Sequence, residues 1–295
     1  MTDPKTSFYA GFLSGLSTRF FVQPFDVAKI RIQVQSEPLA PGAYYSSFRH
    51  CLGRIYMEEG LAGLFRGHST AQMLSISYTA TQFFVYENAK KHSIPTTLSA
   101  YLAGFVAVFV SQPIDMIRTR LISQGDPKFY SGFPDAVRKI VTNEGFFALW
   151  RGINANLLLT PLQTASTFTV YTELSKIESP ISYPTVNGAV SGIVSKSIVY
   201  PLDLARKRME VVGFEEGRKK FGKPIESLAP KRFSSLKDMF PKKALVNCLV
   251  DLFRTEGIRG IYKGYVPSLA KAATSTGLTF TFYEIFIQLL PNFVD

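Results

Sequence analysis

The stretch PFDVAKIR, Pro24 to Arg31, sets a proline, an acid and two bases into an otherwise apolar region. The pattern returns as PIDMIRTR, Pro113 to Arg120, and as PLDLARKR, Pro201 to Arg208, at intervals of 89 and 88 residues. Each octet is followed by a second signature of fixed internal spacing: EGLAGLFRG (Glu59 to Gly67), EGFFALWRG (Glu144 to Gly152) and EGIRGIYKG (Glu256 to Gly264). Self-similarity at one period marks a repeat architecture. The chain divides into three homologous units, 1–95, 96–180 and 181–295, the third with an extended basic connection at about 213–243. Even Cys51 and Cys248 share one repeat position, held by Ala136 in the middle unit. Two small buried helix residues are the expectation, not a disulfide framework.

Each unit reads as a long helix, a loop, a short amphipathic helix and a second long helix. Residues 8–35 would make a helix of roughly 42 Å, enough to cross a bilayer with tilt. The 295 residues are 46% hydrophobic, with 25 Phe and 14 Tyr, and carry a net charge of +11. Nucleic-acid binders share the charge but rarely so much apolar sequence. No window is a clean run of apolar residues: LSAYLAGFVAVFVSQPIDMI and NANLLLTPLQTASTFTVY are broken by Ser, Thr, Gln and Asn. That leaves buried helices of a soluble protein, or membrane helices with one wet face.

The repeat separates these readings. Pro24, Pro113 and Pro201 would each kink a long helix, bringing three helix ends together on one side. Gly11 and Gly15, Ala100 and Gly104, and Gly188 and Gly192 recur upstream of the prolines, a small-xxx-small spacing that suits close membrane packing. The expected fold is therefore an all-α membrane protein, six transmembrane helices in three pseudosymmetric repeats around a central cavity. The connection from Arg206 to Lys243 has 12 bases and 5 acids, and that from Arg118 to Arg151 has six and three. These mark one face by the positive-inside tendency. Residues 1–7 show no signal peptide or Arg-rich presequence, so any organellar address is expected to be internal.

The tripled octet with its tripled Glu-Gly…aromatic-base-Gly partner resembles the mitochondrial carrier family over the whole chain. That resemblance implies a monomeric, multi-pass inner-membrane transporter, not an enzyme, working by alternating access, with its short helices on the matrix side. It also implies cardiolipin at helix starts near Gly67, Gly152 and Gly264. RGHSTAQMLSISYTATQFFVYE (66–87), SQGDPKFY (123–130), YPLDLARKRMEVVGFEEGRKKFG (200–222) and PSLAKAATSTGLTFTFYE (267–284) are similar to the family's thiamine pyrophosphate branch. The implied solute is thiamine pyrophosphate, exchanged for nucleotides. Another nucleotide-like anion (a coenzyme A or adenine nucleotide) and a carrier-derived adaptor are the alternatives; the intact octets speak against the adaptor.

Within an octet, acid and first base lie three apart on one helix face. The resemblance pairs them between helices as a matrix gate: Asp26 with Arg118, Asp115 with Arg206, Asp203 with Lys29. Local pairing along each helix is the alternative. Partly wet pairs would contribute about 0–1 kcal/mol apiece. Gln33 stands where the family places a bracing glutamine; Ile122 and Glu210 fill that slot elsewhere, so at most one brace is expected. At the opposite end the family's aromatic-acid-x-x-base pattern is complete only at Tyr86, Glu87 and Lys90. It is broken at Tyr171-Thr172-Ser175 and Tyr283-Glu284-Ile287, so a weak outer gate, one bridge from Lys90 to Glu284, is expected.

Counting at helical spacing from Gly67, Gly152 and Gly264 defines a stripe. It holds Ala71, Leu74, Ser75, Tyr78 and Gln82; then Asn156, Leu159, Thr160, Gln163 and Thr167; then Ser268, Lys271, Ser275 and Thr279. Its polarity suits a wet cavity, although Gln82 and Gln163 also fit a role joining helices. Arg19 and Lys196, five residues before an octet proline, join Lys271 as bases in uncharged spans. Three such bases without an acid partner call for an anion, which a diphosphate satisfies through charge-assisted hydrogen bonds. Tyr78 offers a stacking face, and Ser75, Gln82, Asn156 and Gln163 offer polar contacts. With three His in all, His68 is read as a helix-start residue, and no metal or cofactor site is expected.

Overall fold

The computed structural model describes residues 4–36, 45–125, 127–176, 184–217, 221, 232–240 and 244–289. Among these, every regular element is helical: α1 (Pro4–Val34), α2 (Phe48–Leu64), α3 (His68–Lys91), α4 (Thr96–Ser123), α5 (Phe133–Glu144), α6 (Ile153–Ser175), α7 (Pro184–Glu210), α8 (Ala244–Ile261) and α9 (Tyr265–Leu289). Long, short, long recurs three times. The second signature explains the turns. Gly60, Gly145 and Gly257 have φ of 67°, 98° and 64°, and Gly67, Gly152 and Gly264 have 75°, 84° and 81°. These left-handed conformations favour glycine because it lacks a Cβ.

The long helices close a ring. Within the repeats, α1 meets α3, α4 meets α6 and α7 meets α9; between them, α3 lies along α4, α6 along α7, and α9 back along α1. The octet helices α1, α4 and α7 also meet one another, running without a break through Pro24, Pro113 and Pro201. Close packing at the small-residue stripe is not what the structure shows. A Cβ added at Gly11, Gly15, Gly104, Gly188 or Gly192 would meet nothing within 4 Å. These residues face open space because the chain is gathered at the octet end.

Large apolar side chains are exposed on the long helices: Phe12, Phe83, Phe84, Phe105 and Phe280 among them. A water-facing surface rarely carries such an apolar belt. Among the described residues, α4 is the helix both long and apolar enough to pass a span criterion, with mean hydropathy 1.5. The other long helices are diluted by the polar residues that face inwards.

The third connection reaches back over the octet end. Phe214 stacks on Tyr130 at 4.8 Å, the Ser36 N–H donates to Phe221 O at 2.9 Å, and the Phe233 N–H donates to Glu144 O at 2.8 Å. The guanidinium groups of Arg120, Arg31 and Arg151 lie 5.7, 5.8 and 4.6 Å from the Phe214, Phe221 and Phe233 ring centres. This connection of the third repeat thus touches both of the others. Within the expected basic loop 213–243, residues 218–220, 222–231 and 241–243 lie outside the described residues.

Candidate functional site

The octets bring acids and bases together between neighbouring helices. Arg118 Nη2 donates to Asp26 Oδ2 at 2.7 Å, Lys29 Nζ to Asp203 Oδ2 at 2.8 Å, and Arg206 Nη2 to Asp115. Their side chains are only 7–13% exposed, which corrects the partly wet pairs assumed from the sequence. Helix convergence excludes water there. Removing one partner from a buried pair costs about 3–5 kcal/mol, since the other charge is left alone.

A second layer went unread in the sequence. The last octet base of each repeat grips its own Glu-Gly acid with two bonds: Arg31 with Glu59 at 2.6 and 2.8 Å, Arg208 with Glu256 at 2.6 and 3.0 Å, and Arg120 with Glu144. The same arginines reach the next repeat's backbone. Arg31 donates to Ile122 O at 3.0 Å, Arg120 to Glu210 O at 3.0 Å, and Arg208 to Gln33 O at 2.8 Å. The fork of a guanidinium suits this double duty. Both partners were visible as tripled residues, but only folding shows that they meet.

Gln33 Nε2 donates to Tyr200 Oη at 3.2 Å and to Asp203 Oδ2 at 3.4 Å, while Tyr200 Oη donates to Lys263 O at 2.6 Å. Glu210 is no silent slot, contrary to the expectation of at most one brace. It accepts from Arg206 Nε at 3.0 Å and from Lys207 Nζ at 2.9 Å.

Two of the three bases expected to lack acid partners are also reassigned. Lys271 Nζ lies 2.5 Å from Asp26 Oδ1, and Lys196 Nζ 3.3 Å from Asp203 Oδ2. Arg19 donates to Ala71 O at 3.0 Å and to Ser75 Oγ. Ammonium groups on long flexible stems reach back to the gate carboxylates, because a largely desolvated charge needs a counter-charge. Asp26 and Asp203 are thus each held by two cations from different helix levels. Lys271 and Lys196 are the wetter members of these contacts, 34% and 20% exposed against 12% and 8% for the acids.

The profile of the family described as mitochondrial carrier protein matches the chain three times, over residues 3–97, 92–179 and 177–293. The chain belongs to the mitochondrial carrier family. Its members are inner-membrane transporters rather than enzymes. Among its relatives, the mitochondrial thiamine pyrophosphate carrier of Bos taurus is 35% identical, with 96% of this chain and 92% of the relative covered. That of Homo sapiens is 34% identical over 95% and 90%. The mitochondrial thiamine pyrophosphate carrier 1 of Coccidioides immitis is 31% identical over 96% and 92%.

The remaining expected residues of this carrier divide in two. Tyr78, Gln82 and Gln163 lie part-buried on α3 and α6, and Gln163 lines a recess of about 290 Å³ with Thr160, Thr164, Thr167 and Phe168. Asn156 is buried instead, donating to Gln112 Oε1 at 2.8 Å, so it belongs to the helix contact. At the outer end Glu87, Lys90 and Glu284 are exposed. Among the described residues no ion pair joins Lys90 to Glu284, which corrects that expected bridge; the helix ends there are not gathered. The Cα sides of Gly67, Gly152 and Gly264 press on the brace slots Ile122, Glu210 and Gln33. Gly67 and Gly132 also line a cleft of about 230 Å³ with Arg66 and Lys128.

Proposed function

We propose that the six long helices span the inner membrane and that the protein exchanges thiamine pyrophosphate for another phosphorylated solute, a nucleotide, by alternating access. The single observation that carries the mechanism is the sharing of Asp26 and Asp203 between gate and cavity. An entering diphosphate competes with these carboxylates for Lys271 and Lys196, while Arg19 supplies a third cation. Each lysine drawn to the phosphate leaves its acid held by the gate base alone, so anion binding loosens the octet end. Micromolar binding supplies about 8 kcal/mol, of which only the preference for the loosened state counts. Tyr78 and the polar face of α6, with Gln163, are suited to the aromatic rings. Names of relatives support the solute; the charges support only its phosphate.

The closed ring of helices supports one chain as the working unit. The cleft at Gly67 and Gly132, flanked by Arg66 and Lys128 at two helix starts, suits a lipid phosphate such as that of cardiolipin. Reconstitution into liposomes with internal thiamine pyrophosphate and a panel of external solutes tests the reading. Exchange with phosphorylated solutes and none with thiamine is expected. Uptake of only an unphosphorylated compound overturns it.

A further inference from the structure

Four lysines touch a gate acid, and they do not do so in the same way. Asp26 faces Arg118 and Lys271, and Asp203 faces Lys29 and Lys196, so each of these seams has one acid against two bases. The seam between α4 and α7 differs. There Asp115 faces Arg206 and Lys207, but Glu210 joins them, giving two acids against two bases.

Lys207 has no donor to spare. Its Nζ donates to Asp115 Oδ2 at 2.9 Å, Thr119 Oγ1 at 3.0 Å and Glu210 Oε2 at 2.9 Å. Glu210 is likewise enclosed: its carboxylate also accepts from Thr119 Oγ1 at 2.5 Å, Arg206 Nε at 3.0 Å and Gln112 Nε2 at 3.4 Å. No side-chain surface of Glu210 is exposed, and only 8% of Lys207 is. Towards the cavity this seam ends in amides, Asn156 donating to Gln112. The equivalents of Lys207 in the other octets are Ile30 and Thr119, so the arrangement occurs once.

We propose that Lys207 and Glu210 are positioning residues that make the α4–α7 seam a self-neutralised lock, indifferent to the transported anion, so that the solute acts on the other two seams alone. Two seams offer a surplus, partly wet cation; the third offers a satisfied buried cluster, which an anion has no charge to recruit. The inference rests on the anion reading above but not on the identity of the solute.

The test compares three lysines with inorganic pyrophosphate as probe, binding being read from its thermal stabilisation of the purified protein in detergent. Lys271→Met and Lys196→Met are each expected to weaken pyrophosphate binding at least tenfold, and Lys207→Met less than twofold. In liposomes, Lys207→Met/Glu210→Gln, which keeps the seam neutral while removing the lock, is expected to raise thiamine pyrophosphate turnover threefold or more with KM within twofold. Thr119→Val, which removes the bridging hydroxyl without changing a charge, is expected to act in the same direction and serves if the double variant does not fold. Pyrophosphate binding lost equally in Lys207→Met overturns the proposal, as does a fall in turnover at unchanged KM. A wild-type protein that pyrophosphate stabilises but that does not exchange thiamine pyrophosphate sinks the solute alone, and the lysine comparison still supports or overturns the lock. No stabilisation of the wild type overturns both.

Discussion

The two ends of the helix ring hold very different chemistry. At the octet end each repeat contributes an inter-helix acid–base pair and a buried arginine gripping a Glu-Gly acid. At the opposite end one full acid–base motif survives, its charges are exposed, and the small-residue stripe faces open space. Buried, mutually satisfied charges hold one end shut, while among the described residues nothing comparable gathers the other. The difference teaches that closure goes with charges that are both paired between helices and buried.

The comparison can be broken first at its strongest point. Arg120→Ala leaves Glu144 without its bidentate partner, with Arg151 its remaining base, and takes a donor from the backbone oxygens of Glu210 and Val212. It should cost about 3–5 kcal/mol, read as a large fall in unfolding temperature in detergent. Unchanged stability would show that the second layer is incidental. Next, Arg19→Ala, Lys196→Ala and Lys271→Ala should each lower exchange about 10–100-fold, the worth of one hydrogen bond to a charged group at about 1.5–3 kcal/mol, while the protein stays folded. Normal exchange in all three would remove the cavity assignment.

Smaller effects sharpen the contrast. A Cβ at Gly104 meets no neighbour in this conformation, so Gly104→Leu should retain folding while exchange slows several-fold, because the proposed cycle closes the open end. Equal exchange rates would argue that this end never closes on the stripe. Lys90→Ala and Glu284→Ala should change stability by no more than about 0.5 kcal/mol, as exposed charges do. The smallest change is expected at the thiols. Burial pushes the pKa of Cys51 and Cys248 up to about 12, so labelling of the folded carrier near neutral pH should be very slow and should rise with pH. Rapid labelling at pH 7 would show that the short helices open readily.

Much of this arrangement was legible in the chain. The tripled octet and Glu-Gly signature led to three repeats and the helix order, because a repeated residue keeps its place in a repeated fold; the inter-repeat pairs came from the family resemblance that those motifs carry. Reading failed where contact crossed between patterns. Arg31 and Glu59 stand 28 residues apart in different signatures, and no periodicity says that they meet. Lys271 and Lys196 looked solitary because their acid partners lay one or more helix turns away in space, not because they had none. Lys207 was passed over as one base among several in a basic run, although its burial beside Asp115 sets it apart.

What the order of residues determined by itself was the kind of object: three copies of one unit, apolar outside and polar along one stripe, with charges at fixed places. Helical periodicity and the left-handed turns that favour glycine are local, so they can be read without knowing the neighbours. What the tertiary structure decided was which charges neutralise which. Electrostatic partnership depends on distance and exclusion of water, and both arise only when α1, α4 and α7 converge.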